Sequence, residues 1–178
     1  MSVPDRIAWT RVVLVPIIMA LVLTDVYVLA SIVFAVAATT DFLDGYLARR
    51  WEQTTILGAF LDTIADKLLV AGTLFALVEV DRAWAWAAFV IVGREIAIMG
   101  LRGIVALDGS KVPPSMLGKI KATVQFVAIF VAILRTSGEW GAFYPDEWVM
   151  LFAVVITVAS GIDYLAKSAK VIRSLAAR

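Results

Sequence analysis

The sequence predicts an all-α integral membrane protein, a six-transmembrane-helix bundle with both termini cytoplasmic. Three observations carry that expectation. Hydrophobic residues make up 62% of the 178 residues and charged residues only 17%, against roughly 45–50% and 25% in soluble domains. A water-facing surface cannot absorb that excess. The apolar residues also fall into six segments, about 8–24, 26–48, 55–78, 83–106, 117–136 and 147–169. Finally, Lys and Arg are shared unevenly between the connections. With the N-terminus inside, Arg6, Arg11, Arg49, Arg50, Arg102, Lys111, Lys119, Lys121, Lys167, Lys170, Arg173 and Arg178 all fall on or near the cytoplasmic side. The other side receives Asp25, Glu79, Asp81, Arg82, Arg135, Glu139, Asp146 and Glu147. That bias orients a bundle by the positive-inside rule.

Taken in order, the first segment follows MSVPDRIAWTR, which does not read as a cleavable signal. It is hardly basic, and no small-x-small site closes the apolar run. The lack of a targeting extension leans toward a bacterial inner membrane. Uncharged stretches such as 12–24, 26–40 and 148–162 are shorter than the ~20 residues a spanning helix needs. Snorkelling of Arg11, Arg49 and Lys121 is expected to extend them. Thr24-Asp25 allows only a tight outer turn, and 50–54 a brief inner one.

Trp84, Trp86, Trp140, Tyr144 and Trp148 fall near the outer boundary, where aromatic belts sit. Lipid-facing packing explains them equally well. Residues 108–115 are rich in turn formers and read as a cytoplasmic loop, with Ser115 capping the fifth helix. Lys167, Lys170 and Arg173 make the end of the chain a basic interfacial helix. No repeat or linker interrupts this pattern, so a single domain over 1–178 is expected.

Chemistry is concentrated in residues 41–66, DFLDGYLARRWEQTTILGAFLDTIAD. Asp41 and Asp44 share one face of a helix. Asp62 and Asp66 share a face of the next, with Gly58 one turn earlier. A short connection between the helices predicts the two pairs at one depth, facing each other. The chain has no cysteine and no histidine, so a thiolate, an imidazole base and the usual zinc ligands are excluded. Four close carboxylates would take up protons in low dielectric unless a cation balances them. Hard oxygen donors suit Mg²⁺, Mn²⁺ or Ca²⁺, with room for two ions about 4 Å apart.

Two other readings of these residues stay open. The aspartates pair with Arg49, Lys67 and Arg94 to hold helices together, or they line a cation or proton path. A path needs polar groups continuing outward, and 26–38 and 68–78 are nearly all apolar. Gly45 lets a ligand approach the backbone and Arg49 suits a phosphate, which favours chemistry.

The spacing Asp41-x2-Asp44-Gly45-x2-Ala48-Arg49-x8-Gly58-x3-Asp62-x3-Asp66 resembles, position for position, the motif of the CDP-alcohol phosphotransferases. The resemblance implies a two-metal enzyme, using Mg²⁺ or Mn²⁺, that opens the pyrophosphate of a CDP-linked lipid and releases CMP. By the same resemblance Asp41, Asp44, Asp62 and Asp66 are metal ligands, and Asp66 is also the base on the acceptor hydroxyl. Gly45, Ala48 and Arg49 line the cytidine diphosphate pocket together with Gly58, with Thr55 at its edge.

Outside the motif, four passages are similar to the family members that use CDP-diacylglycerol and glycerol 3-phosphate. They are Val3-Pro4 through Arg11 and Pro16, Gly93 to Arg102, Gly118-Lys119-x-Lys121, and Ser160 to Leu165. A homodimer in membrane lipid, and no nucleic acid, are implied. Arg94, Arg102, Lys119 and Lys121 are the cations available to a dianionic acceptor. Positive-inside anchoring accounts for the last three equally well, and an ion pair with Glu95 is the competing reading for Arg94. Acceptors such as inositol phosphate, serine or phosphatidylglycerol keep the same chemistry. One departure concerns the opening, where the family reads Pro-Asn with Thr three residues on: Asp5 stands for the amide and Ala8 for the hydroxyl, which alters contacts in the nucleotide pocket.

Overall fold

The computed structural model describes residues 3–51, 56–107, 116–135 and 143–176, and among them every regular element is a helix. In chain order these are α1 (Val3–Leu23), α2 (Tyr27–Trp51), α3 (Ile56–Glu79), α4 (Ala85–Leu107), α5 (Met116–Leu134) and α6 (Pro145–Ala176). All six expected segments are helical. Two of them, α5 and the stretch Pro145–Ala169 of α6, are long and apolar enough to cross a membrane. The outward surface is apolar: Phe89 is 77% exposed, Val28 68% and Ile162 63%. Such a surface is stable against lipid and not against water.

The core lies where α1 and α3 meet, their most extensive contact, with α2, α4, α5 and α6 around them. Ile18, Val22, Leu69, Leu74, Leu77, Ile91, Ile129 and Ile133 are fully buried there. Gly72 permits the close approach of α1, since a Cβ at that position would sit 2.5 Å from the Cγ1 of Val15. Between α5 and α6, the Gln125 amide donates to the Thr157 hydroxyl at 2.8 Å, and that hydroxyl donates to the Ala153 carbonyl at 2.6 Å. The buried Thr157 hydroxyl thus both accepts and donates in the apolar interior.

On the expected outer side, the turns after α1 and α3 are helix C-caps. Asp25 has φ 62° and Asp81 φ 54°. Val26 N–H donates to the Leu21 carbonyl at 2.9 Å, and Arg82 N–H to the Leu77 carbonyl at 2.8 Å. These are Schellman bonds, with Asp in the left-handed position that Gly usually takes. Helix α6 begins on Pro145, and the Tyr144 N–H donates to Glu147 at 2.9 Å, a capping-box bond reaching back from the third helical residue.

Two arginines tie this end together. Arg82 donates to the Ile133 carbonyl at 2.7 Å and lies 3.4 Å over the Tyr27 ring. Arg135 pairs with Asp146 at 3.1 Å and donates to the Asp81 carbonyl at 3.0 Å. Trp84 stacks on Trp86 at 5.6 Å, and Phe143 meets Trp84 and Trp148 edge to face at 5.4 and 5.3 Å. Those tryptophans pack as a cluster at the level expected for a belt. Trp140, Ser115 and the loop 108–115 lie outside the described residues.

Candidate active site

Helix α3 carries the centre of the site. Asp62 and Asp66 are one turn apart on it, both partly buried. Gly58, a further turn back, is buried. Helix α2 runs through Asp41, Asp44, Gly45, Ala48 and Arg49, whose side chains are not among those described; Thr55 lies outside the described residues altogether. Among the described residues α2 and α3 touch each other little, and α1 and α5 pack against both. The expected facing of the two aspartate pairs falls on side chains outside those described.

Helix α1 supplies a group that the sequence reading placed elsewhere. Arg11 is expected to snorkel; it is instead 1% exposed, and its guanidinium donates to Asp62 Oδ1 at 3.1 Å. Asp62 draws the guanidinium inward, because a buried charge needs a counter-charge. Ala8, three residues earlier, is buried, whereas Thr10 is exposed on another face. The methyl of Ala8 therefore packs where the family places a hydroxyl.

Beside Asp66 lies a cluster of charges between α3, α4 and α5. Lys121 is expected to snorkel as well, and is 5% exposed, donating to Glu95 Oε1. Arg94 meets the same oxygen at 3.2 Å, and Lys67 approaches Oε2 at 4.0 Å. Lys67 and Arg94 thus pair with Glu95 among the described groups, and Arg11 with Asp62. The second arm of Arg94 donates to the buried Ser160 hydroxyl at 2.7 Å. Gly161 leaves room for the arginine stem, whose Cγ would lie 3.4 Å from an added Cβ. Arg102 is exposed two turns further along α4, its guanidinium 5.2 Å from the centre of the Tyr164 ring.

Thr63, Lys67, Arg94, Glu95 and Arg102 line a cavity of about 290 Å³. Its lining carries three cations and one carboxylate, and that carboxylate is also paired with Lys121. A second cavity, also about 290 Å³, shares Lys67 and Glu95 with the first and continues along Ile64, Leu68, Val92 and Ile96. A charged chamber and an apolar groove between α3 and α4 therefore lie side by side, sharing Lys67, Glu95 and Met99. Lys119 is exposed and does not line the chamber.

Of the four expected acceptor cations, the structure brings Arg94 and Arg102 to one chamber, places Lys121 on Glu95 at its edge and leaves Lys119 outside. It adds Lys67, Glu95, Ser160 and Arg11. Ser160 and Tyr164 lie in a passage already singled out by its sequence; the Arg94–Glu95 ion pair weighed there is present, while Lys67 and Lys121 join Glu95 without a local signal.

The donor set fits a divalent cation: Asp62 and Asp66 offer only hard oxygens, on adjacent turns. Among the described residues no group of three or more such ligands is assembled; the side chains of Asp41 and Asp44 are not among those described. Paired carboxylates thus lie beside a cationic chamber and an apolar groove in an all-helical protein with an apolar surface. The chain belongs to the CDP-alcohol phosphatidyltransferase family, whose profile matches residues 1–159. It is thus an enzyme, a transferase of phospholipid biosynthesis in a family that is generally dependent on divalent metal. It is 37% identical over 183 residues to the CDP-diacylglycerol--glycerol-3-phosphate 3-phosphatidyltransferase of Bacillus subtilis (strain 168), covering 94% of this chain and 95% of that one. The protein of the same name from Escherichia coli (strain K12) is 37% identical over 179 residues, covering 92% and 93%.

Proposed function

We propose that this protein transfers the phosphatidyl group of CDP-diacylglycerol to sn-glycerol 3-phosphate, giving phosphatidylglycerophosphate and CMP. The observation that carries the acceptor is the chamber beside Asp66, where Lys67, Arg94 and Arg102 outnumber Glu95 three to one. A phosphate monoester dianion answers that excess; serine, with no phosphate, does not. Arg94 and Arg102 hold the acceptor phosphate together with Lys67, and Lys121 keeps Glu95 neutralised. Lys119 is left to anchoring at the interface.

Asp41, Asp44, Asp62 and Asp66 are assigned as ligands of two divalent cations, Mg²⁺ or Mn²⁺. Bound there, the ions would neutralise the pyrophosphate and the departing CMP. Arg11 orients Asp62. Gly45, Ala48, Arg49, Thr55 and Gly58 are assigned to the cytidine diphosphate pocket on the family motif. The acyl chains remain in lipid and in the apolar groove of Ile64, Leu68, Val92 and Ile96.

Asp66 takes the proton from the acceptor hydroxyl, whose oxygen attacks the diacylglycerol-bearing phosphorus in line. The new P–O bond forms as the bond to CMP breaks, and no covalent enzyme intermediate is needed. The same proposal has all six helices crossing the membrane as one domain, 1–178, with both termini and the site on the cytoplasmic face of a bacterial inner membrane. The Lys/Arg bias supports this orientation. A homodimer is part of the proposal on the family resemblance.

The test is Asp66→Asn in purified, metal-supplemented protein. Loss of a general base is expected to slow CMP release by roughly a hundred- to ten-thousandfold while CDP-diacylglycerol still binds. A rate within a few-fold of the parent would remove Asp66 from the chemistry.

A further inference from the structure

Glu95 is a carboxylate 8% exposed on α4, reached by cations from three helices: Lys67 of α3, Arg94 of its own helix and Lys121 of α5. It is poorly suited to bind an anion, yet it lines the anion chamber. Three cations converging inside a helix bundle repel one another, and each costs several kcal/mol to desolvate unless a counter-charge is at hand. Glu95 supplies that charge, but to the three unequally. Lys121 is bound most closely and is not part of the chamber lining, whereas Lys67 stands at 4.0 Å and Arg94 shares its other arm with Ser160. The carboxylate therefore satisfies Lys121 and leaves Lys67 and Arg94 with donor capacity at the chamber wall.

We propose that Glu95 is a positioning residue for the acceptor phosphate: it draws Lys121 aside and fixes Lys67 and Arg94 around the chamber, so that binding of a phosphate monoester depends on a carboxylate the ligand never touches. This rests on the chamber being the acceptor site, as proposed above. Without the carboxylate the three cations spread apart, Lys121 moves toward the chamber, and the geometry of the two donors is lost. A brace that merely held α3, α4 and α5 together would affect both substrates alike.

The experiment measures steady-state CMP release in detergent, varying glycerol 3-phosphate and CDP-diacylglycerol separately, with melting temperature recorded for each variant. Glu95→Gln is expected to raise the acceptor KM at least tenfold and to leave the donor KM within about twofold. Glu95→Asp, which keeps the charge on a shorter stem, is expected to fall between the two. If Glu95→Gln does not fold, Glu95→Asp carries the same comparison. A fall in kcat with both KM values unchanged, or an equal rise in both, would overturn the proposal and make Glu95 a structural brace. Arg102→Gln, run alongside, separates the two layers, because Arg102 lines the chamber and makes no ion pair with Glu95. An unchanged acceptor KM in Arg102→Gln would overturn the chamber as acceptor site. A raised value in Arg102→Gln with no change in Glu95→Gln would overturn the positioning role alone.

Discussion

Replacing Gly72 by alanine places a methyl group where α1 and α3 touch. Its carbon would lie 2.5 Å from Val15 Cγ1 and 3.2 Å from Met19 Sδ, whereas carbon atoms in contact prefer about 3.5–4.0 Å. Met19 can turn away, since its thioether stem is flexible. Val15 cannot, because a β-branched side chain in a helix has one strongly preferred rotamer. The helices must part by about an ångström, and overpacking of this kind costs about 1–3 kcal/mol. Alanine returns up to about 1 kcal/mol in helix propensity. The expected net loss is about 1 kcal/mol, with a further effect on turnover, because α3 carries Asp62 and Asp66. The assay is thermal unfolding in one detergent, with CMP release, for Gly72→Ala, Val15→Ala and the double variant. Removing Val15 Cγ1 takes away the clash, so Gly72→Ala should cost nothing in the Val15→Ala background. The reasoning fails if Gly72→Ala is more stable than the parent, or if it costs the same in both backgrounds.

Three further outcomes are expected. Arg135→Met leaves Asp146, 1% exposed, without its cation; relieved in part by the start of α6, the loss should be about 2–4 kcal/mol. It should appear as a lower melting temperature with both KM values unchanged, because the pair lies at the end of the bundle away from the site. Gln125→Leu should cost no more than about 1 kcal/mol, since Thr157 keeps its bond to the Ala153 carbonyl, and thermal unfolding reads this. Chelation should abolish CMP release, with Mg²⁺ or Mn²⁺ restoring it in a titration; activity that survives exhaustive chelation would contradict the all-oxygen metal site.

The helices were legible in the sequence because apolar length is a local property. The carboxylates were legible because their three- and four-residue spacings place them on helix faces without knowledge of partners. Pairings across the bundle were not. Arg11 meets Asp62 across 51 residues and Lys121 meets Glu95 across 26. Snorkelling and burial are both open to a basic residue one or two turns from a helix end. Which occurs depends on the helix that happens to stand beside it. Among the described residues α1 has the most extensive contact with α3, and Gly72 stands against Val15 and Met19 of α1, a pairing that neither helix shows in its own sequence. Ser160 and Tyr164 gained a role only once α6 was seen against α4. Lys119 and Lys121, two apart, were equivalent on paper and point to different faces of α5: one is exposed and the other buried.

The most direct test of the account is CMP release by purified protein supplied with CDP-diacylglycerol, Mg²⁺ or Mn²⁺, and each acceptor in turn: glycerol 3-phosphate, inositol phosphate, serine and phosphatidylglycerol. Release with glycerol 3-phosphate alone, accompanied by phosphatidylglycerophosphate, is the predicted result. Release with a different acceptor would contradict the assignment of the chamber. No release with any of them, from folded and metal-loaded protein, would contradict the proposed reaction itself.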